Sequence, residues 1–426
     1  MRLLIKNGRV LDPSVKLDEI CDVLVEDGII LGVFEKGSVK DACDEVIDAA
    51  GCFVMPGLID LHVHLREPGY EYKETIKTGS AAAARGGFTT ICPMPNTSPS
   101  TDNPEKIKQL LLKAAEDSPV NICPVGAVTI GQQGDEVTDI AGMAKAGAVA
   151  ISEDGKSVMN VRVYKKAMEE AAEAGITVLA HCEDKNLVGK GAINAGIVAD
   201  KLGMQGISNA VEDVIAARDI VLAAETGTKL HLCHCSTKGS TVLLKNAKNE
   251  GIDVTGEVCP HHFAMTEDEI TGDDANYKMN PPLRSALDVQ ALKEAVRDDV
   301  IDVIATDHAP HSAEEKAKSI ADAPFGIVGL ETAVALTVTH LLEQGYITPM
   351  QMAAKMSTNP AKVIGIDKGT LQPGKIADIT IIDPKAEYVI DKNTFVSKGK
   401  NTPFHGKTVR GKVKYTIVSG KVVFAD

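Results

Sequence analysis

The chain has no run of about 18 uncharged apolar residues, which excludes a membrane-spanning helix. It is short of basic charge. Lys and Arg total 45 against 59 Asp and Glu, a formal net charge of −14. A phosphate backbone would be repelled by that balance, which argues against nucleic acid as a partner and leaves room for a local basic pocket that takes a small anion. A disulfide framework is missing too. The nine cysteines are odd in number and scattered from Cys21 to Cys259, in a chain long enough to bury a core without staples. That usage implies a reduced, cytoplasmic protein. The opening stretch MRLLIKNGRVLDP carries Lys6 and Arg9 inside its apolar part and does not read as a signal peptide. With 44% apolar and 24% charged residues, neither disorder nor collagen fits the composition.

A chain of 426 residues suggests two or three domains, or fewer if one is an α/β barrel of about 250 residues. The first fifty residues are β-rich runs broken by Asn7-Gly8 and Asp27-Gly28, both hairpin-type turn signals. The C-terminal ADITIIDP and KVKYTIVSGKVVFAD repeat the style. Neither end can bury a sheet face alone, so the two are expected to pair into one small β-sandwich domain. Residues 1–54 and 366–426 would form it, around a central unit over 55–365.

In that unit, short apolar runs alternate with helical stretches. They are VMPGLIDLHVH, GFTTICPMPN, VNICPVGAV, GAVAISEDG, GITVLAHCED, KLHLCHCS, IDVTGEVCPHH and VIDVIATDHAPH. Strands alternating with helices imply a parallel sheet, and eight such units predict a closed (β/α)8 TIM-type barrel, with an open doubly wound sheet as the alternative. Barrel chemistry sits at the C-terminal ends of the strands. Here those ends carry His, Asp and Asn.

Asp60, His62, His64 and Arg66 alternate along the end of the first run, and a strand's period of two puts them on one face. H-x-H alone is weak evidence of metal. His181 closes ITVLAH, His234 closes KLHLCH, Asp307 closes VIDVIATD, and Asp154 follows GAVAISE. Four histidines and two aspartates at five strand ends read as a metal site. Six such ligands exceed one tetrahedral Zn2+ but suit two ions about 3.5–4 Å apart, bridged by a carboxylate. Hydroxide held between two ions is a strong nucleophile at neutral pH, and an aspartate beside it can shuttle the proton to a leaving nitrogen. This describes metal-assisted hydrolysis of an amide-type bond.

His231, Cys233 and Cys235 have the opposite parity to His234 and should face the helix layer, as should Cys182 next to His181 and Glu153 next to Asp154. His261 and His262 could line the pocket or serve the core; His340 and His405 receive no role. Arg66 offers a planar fork for a carboxylate, and Asn96, Asn280 and His311 could add donors, so an anionic substrate is expected.

Together, DLHVHLREPG, CPMPN, EDG, HCED, HCS, MNPPLR and ATDHAPH resemble the dihydroorotases of the amidohydrolase superfamily, closest to the long-chain bacterial and archaeal type. The resemblance spans nearly the whole chain, including GTLQPGKIADITIIDP. It implies reversible cyclisation of N-carbamoyl-L-aspartate to L-dihydroorotate in pyrimidine biosynthesis, with two Zn2+ per chain. By that resemblance His62, His64 and Asp307 hold one zinc, His181 and His234 the second, and Asp154 bridges them. Asp307 is also the implied acid/base. His64, Arg66, Asn96 and His311 are implied to meet the substrate, with Asn280 and the backbone of Phe325 and Gly326 on the ring.

Many relatives in the superfamily bridge their metals with a carboxylated lysine. Lys156 is the available lysine here, and Asp154 is preferred from its EDG context. A hydantoinase or allantoinase is the competing enzyme, and a non-catalytic scaffold for an aspartate transcarbamoylase the competing non-enzyme. A homodimer, and association with an aspartate transcarbamoylase, are further expectations. The segment SAEEKAKSIADAPFG, or the loop carrying His311, is expected to order over the substrate.

Overall fold

The first 56 residues build β1 (Arg2–Asp12), β2 (Leu17–Glu26), β3 (Ile29–Glu35), β4 (Glu45–Asp48) and β5 (Phe53–Pro56) in a computed structural model that describes residues 1–40 and 42–426. Asp27 and Gly28 have φ of 48° and 83° and close the two-residue hairpin between β2 and β3. Asn7-Gly8 does not turn the chain. β1 runs straight through it, and the pairing with β2 shifts register between Ile5 and Gly8, which is a β-bulge. Positive φ at Asn7 (64°) serves the bulge as well as it would a turn. Gly8 is needed there because a Cβ would stand 2.3 Å from Val54 Cγ2.

The barrel strands follow: β6 (Leu58–Val63), β7 (Phe88–Pro93), β8 (Asn121–Ile122), β9 (Val125–Ala127), β10 (Ala150–Ser152) and β11 (Thr177–Ala180). A small ribbon, β12 (Ile193–Asn194) with β13 (Gly206–Ile207), precedes β14 (Leu230–Leu232), β15 (Val254–Val258) and β16 (Val303–Ile304). Pairing is parallel throughout, β6-β7-β8 and β9-β10-β11-β14-β15-β16. β8 and β9 are one predicted run, VNICPVGAV, parted at Pro124. The ring closes where Val63 bridges His308 in parallel and His64 N–H donates to His308 O at 2.8 Å. All eight predicted runs are barrel staves. The C-terminal β17 (Ile379–Val389), β18 (Thr408–Val418) and β19 (Lys421–Ala425) join the N-terminal strands in one sheet, in the order β19-β18-β17-β5-β1-β2-β3, with β4 on β1. The architecture is therefore an α/β barrel with a β domain drawn from both chain ends.

Helices cover the barrel for ordinary reasons. The helix Val161–Ala174 buries Tyr164, Ala167, Met168 and Ala171, one stripe at helical spacing, and Gly175 ends it with φ 71°. The stave side chains sort by parity into two cores. Ile59, Leu61, Cys92, Val125, Ala150, Leu179, Cys233 and Val303 pack inside the barrel. Leu58, Ile91, Ile151, Val178, Leu230, Leu232 and Ile304 belong to the core shared with the helices. Among the described residues no helix is long and apolar enough to cross a membrane.

Candidate metal centre

The inward parity of Ala150 and Leu179 carries on, at steps of two, to Asp154 and His181 just beyond their strands. His62 and His64 reach the same spot by a different route. The β6–β7 register shifts between Asp60 and Val63, so the alternation does not hold along this strand. Asp60 therefore does not share their role. Its carboxylate accepts from Thr306 N–H and Oγ1–H and from His62 N–H, tying β6 to the segment that carries Asp307. His234 and Asp307 lie past the ends of β14 and β16 with φ of 35° and 48°, and Arg66 has φ 62°. Left-handed backbone at non-glycine residues stores strain, and here it aims three side chains.

The six candidate ligands meet. Asp154 Oδ1 lies 3.1 Å from His62 Nε2, 3.4 Å from His181 Nδ1 and 3.8 Å from His234 Nε2, and Oδ2 lies 3.5 Å from His64 Nε2. Asp307 Oδ1 is 3.1 Å from His64 Nε2 and 3.6 Å from His62 Nε2. His181 Nδ1 and His234 Nε2 are only 2.9 Å apart. Donor atoms of His62, His64 and Asp307 lie within 4.8 Å of one another, as do those of His62, Asp154 and His234. All six residues are buried. His62 Nε2 finds no aligned hydrogen-bond partner despite its close carboxylates. Burial works against charge throughout, yet His62 and its neighbours hold Asp154 and Asp307 below the ordinary carboxylate range, and the two carboxylates hold His62 well above its ordinary value. His64 is lower than usual because of burial and nearby Arg66. Two carboxylates in a dry pocket call for positive charge, which a protonated His62 or a divalent cation would supply. The donor set, imidazole and carboxylate, suits zinc.

The surrounding residues orient these ligands. His62 Nδ1–H donates to Glu257 Oε1 at 2.9 Å, so Nε2 is the ring nitrogen that faces the carboxylates. His64 Nδ1–H donates to Asn96 Oδ1 at 2.9 Å, and Asn96 Nδ2 donates to Asp154 Oδ2 at 3.1 Å. Asn96, expected at the substrate carboxylate, thus bonds two candidate ligands and keeps a second N–H and a second lone pair at the cavity that it lines. Glu153 turns away, as its parity requires, and accepts from Thr129 N–H at 3.0 Å. Lys156 Nζ donates to Gln132 O at 3.0 Å.

A cavity of ≈ 150 Å3 opens on the cluster, lined by His64, Arg66, Asn96, Asp154, His181, His234, Asn280, Asp307, Phe325 and Gly326. A wider cleft of ≈ 300 Å3, beside Arg85, Glu331, Tyr388 and Asp426, holds no imidazole. The half-buried Arg66 donates through Nε to Pro310 O at 3.2 Å, and its terminal nitrogens form no salt bridge among the described residues. Arg284 is the contrast. It is also buried, but Asn194, Ile207 O, Ser236 and Glu212 satisfy it. His311 stands behind Arg66, with Lys73 Nζ donating to its Nδ1 at 3.3 Å and its Nε2–H donating to Phe325 O at 2.7 Å. Burial, Arg66 and Lys73 keep that imidazole neutral. Gly326 N–H donates to Lys278 O and its carbonyl accepts from Asn401, while Asn280 donates to Glu183. Lys316, in the segment expected to order over substrate, donates to Ala275 O, Lys278 O and Pro324 O.

Two expectations fail together. His231 and Cys233 do not face the helices. Cys233 packs inside the barrel, and His231 Nε2–H donates to the inward Glu257 at 3.0 Å. The parity argument counted back from His234, which has left the strand. Cys182 and Cys235 do pack on the helix side. Glu257 and Asn401 escaped the sequence reading. Glu257 had a usable signal, since it sits at inward parity between the helix-facing Val254 and Val258.

Comparison with known proteins follows the same lines. A family model described as "Dihydro-orotase-like" matches residues 51–240, and one described as "Amidohydrolase family" matches 252–424. A dihydroorotase of Pelotomaculum thermopropionicum is 51% identical, covering 100% of this chain and 99% of its own. One of Geobacter metallireducens is 49% identical over 100% of both. Among solved structures, an L-hydantoinase from Arthrobacter aurescens is similar at a TM-score of 0.88 and 28% identity, covering 99% of this chain and 95% of its own. A dihydropyrimidinase from Brevibacillus agri, at 0.87 and 24%, covers 100% and 95% and shares the fold.

Proposed function

The chain belongs to the dihydroorotase family of amidohydrolases, and we propose that it interconverts N-carbamoyl-L-aspartate and L-dihydroorotate, a step of pyrimidine biosynthesis, with two Zn2+ per chain. The observation that carries this reading is Arg66. A guanidinium that forms no salt bridge among the described residues opens onto the same cavity as the candidate ligand cluster, where a ring bearing a carboxylate would complete it.

In this reading His62, His64 and Asp307 would hold one ion and His181 and His234 the other, with Asp154 shared between them. Contacts from Asp154 to all four imidazoles support the bridge, while Lys156 is engaged with Gln132 O. Zinc, when bound, supplies Lewis acidity toward a carbonyl oxygen and acidifies water. The chain's own groups do the rest. Arg66 holds the substrate carboxylate, with His311 braced behind it, and Asn96 keeps His64 and Asp154 in register. Asn280 and the backbone of Phe325 and Gly326 face the ring, whose amide groups can use the second lone pairs of those carbonyls. On ring opening, an Asp307 carboxylate oxygen takes the proton of the attacking water and returns it to the departing ring nitrogen. Ring closure reverses both transfers.

Buried thiols such as Cys92, Cys182 and Cys259 suit a reducing, cytoplasmic setting. A homodimer and association with an aspartate transcarbamoylase belong to the same reading, and sedimentation of the chain alone and mixed with that enzyme measures both. The test of function is turnover of L-dihydroorotate, hydantoin and allantoin by protein of measured zinc content. We expect turnover of dihydroorotate alone with close to two zinc ions per chain. Turnover of the carboxylate-free rings would move Arg66 out of the site and favour a hydantoinase.

A further inference from the structure

Beneath the six-residue cluster, inside the barrel, lies a carboxylate outside the proposed ligand set, with an oxygen within 4.8 Å of donor atoms of His62 and Cys233. Glu257 is fully buried at inward parity on β15, paired with Val303, in an interior that also holds Leu61, Leu179 and Cys233. Every donor it meets belongs to a histidine. Oε1 accepts from His62 Nδ1–H at 2.9 Å and from the backbone N–H of His234 at 3.2 Å. Oε2 accepts from His231 Nε2–H at 3.0 Å, and the far side of that ring, Nδ1, is held by Thr255 Oγ1 at 2.8 Å.

A buried carboxylate is costly unless its lone pairs are filled, and an apolar residue of similar volume would serve packing at least as well. What the carboxylate adds is direction. It accepts only, so the proton of His62 must sit on Nδ1 and the lone pair on Nε2, the atom that faces Asp154 and Asp307. Through its second bond on Oε1 it also pins the backbone of His234, at the residue where left-handed φ swings that side chain inward. One carboxylate thus grips a candidate ligand of each ion, from strands far apart in the chain. His231 in turn keeps Glu257 from rotating off them.

We infer that Glu257, braced by His231, is a positioning residue that sets the donor tautomer of His62 and couples the two metal subsites. This rests on the metal-site reading above. A Glu257→Gln side chain keeps the shape but offers one acceptor and an N–H2 donor, so it cannot accept from His62 and His231 together. A donor facing His62 Nδ1 would drive the imidazole proton onto Nε2.

The experiment is zinc titration of metal-free, full-length protein against a chromophoric chelator, with melting of the metal-free forms alongside. We expect Glu257→Gln to weaken zinc binding about 10–100-fold, at both ions rather than one, while the metal-free form melts near the wild type. His231→Gln, which keeps an N–H for Glu257, should retain most of the affinity that His231→Leu loses. Zinc affinity of Glu257→Gln within about threefold of wild type overturns the inference, on the same mutational scale. It also falls if metal-free Glu257→Gln melts early and His231→Gln binds zinc no better than His231→Leu, for then the carboxylate is only structural. A wild-type chain that binds no zinc removes the metal-site reading itself, and the inference with it.

Discussion

Replacing Arg66 by Met keeps the aliphatic stem and deletes the charge, which isolates what the guanidinium contributes. Its Nε is committed to Pro310 O, and His311 Nε2, though 3.3 Å from an Arg66 terminal nitrogen, gives its proton to Phe325 O. Two terminal nitrogens are therefore left for a carboxylate. Each charge-assisted bond is worth about 1.5–3 kcal/mol. The side chain is partly exposed, so the upper end is discounted for solvent, leaving about 3–5 kcal/mol for the pair. At 1.4 kcal/mol per tenfold, this is a loss of roughly 10²–10⁴ in kcat/KM for dihydroorotate. The loss should be specific. Zinc content should stay at the wild-type level, because Arg66 bonds to no candidate ligand in the structure. The fold should be about as stable, because a partly buried cation that forms no salt bridge among the described residues has been removed. The assay is steady-state kinetics on dihydroorotate beside metal analysis and thermal melting of the same preparations. A fall in kcat/KM of less than about tenfold, or zinc lost along with activity, would refute the reasoning and return Arg66 to a structural role.

Asp307→Asn should fold and bind dihydroorotate within a few fold of wild type but lose at least about 10³ in kcat, the scale of a missing general acid/base; calorimetric binding beside kinetics checks this, and retention of a tenth of the activity would remove Asp307 as proton carrier. Chelation should abolish turnover and lower the melting temperature, since the two carboxylates lose their counter-charge, and added zinc should restore both. Full activity after the metal has gone would remove it from the reaction. Lys316→Met should raise KM more than it lowers kcat and cost about 1–3 kcal/mol of stability, because three carbonyls of the loops around Phe325 each lose one hydrogen bond. Burial and the neighbouring Lys278 push Lys316 down to about 7. The unfolded chain therefore binds more protons between that value and the ordinary 10.5, and this residue's contribution to stability rises with pH across the window and falls away toward pH 7. Urea melts at several pH values should show a flatter profile in the variant; an unchanged slope would mean that Lys316 stays charged in the fold.

Much of this was legible in the chain because local rules act on local sequence. Apolar runs bounded by helix formers located the eight staves, and steps of two beyond Ala150 and Leu179 pointed Asp154 and His181 inward while turning Glu153 and Cys182 out. The same rule failed wherever backbone left the regular strand. Positive φ at His234 reversed the parity assigned to His231 and Cys233, the register shift on β6 separated Asp60 from His62 and His64, and the bulge at Asn7-Gly8 kept β1 running where a turn was expected.

By itself, then, the sequence determined which residue types stand at the strand ends, and with them a candidate ligand set of four histidines and two aspartates, an arginine beside it and a parallel barrel. Only the tertiary structure decided what meets what. Glu257 is 195 residues from His62 and 26 from His231 in the chain, and no periodicity connects them. Which carboxylate meets which imidazole, which amide bonds which candidate ligand and which guanidinium forms no salt bridge among the described residues all depend on distances across the closed ring. Those distances arise from packing of side chains far apart along the chain, where the period of a strand carries no information.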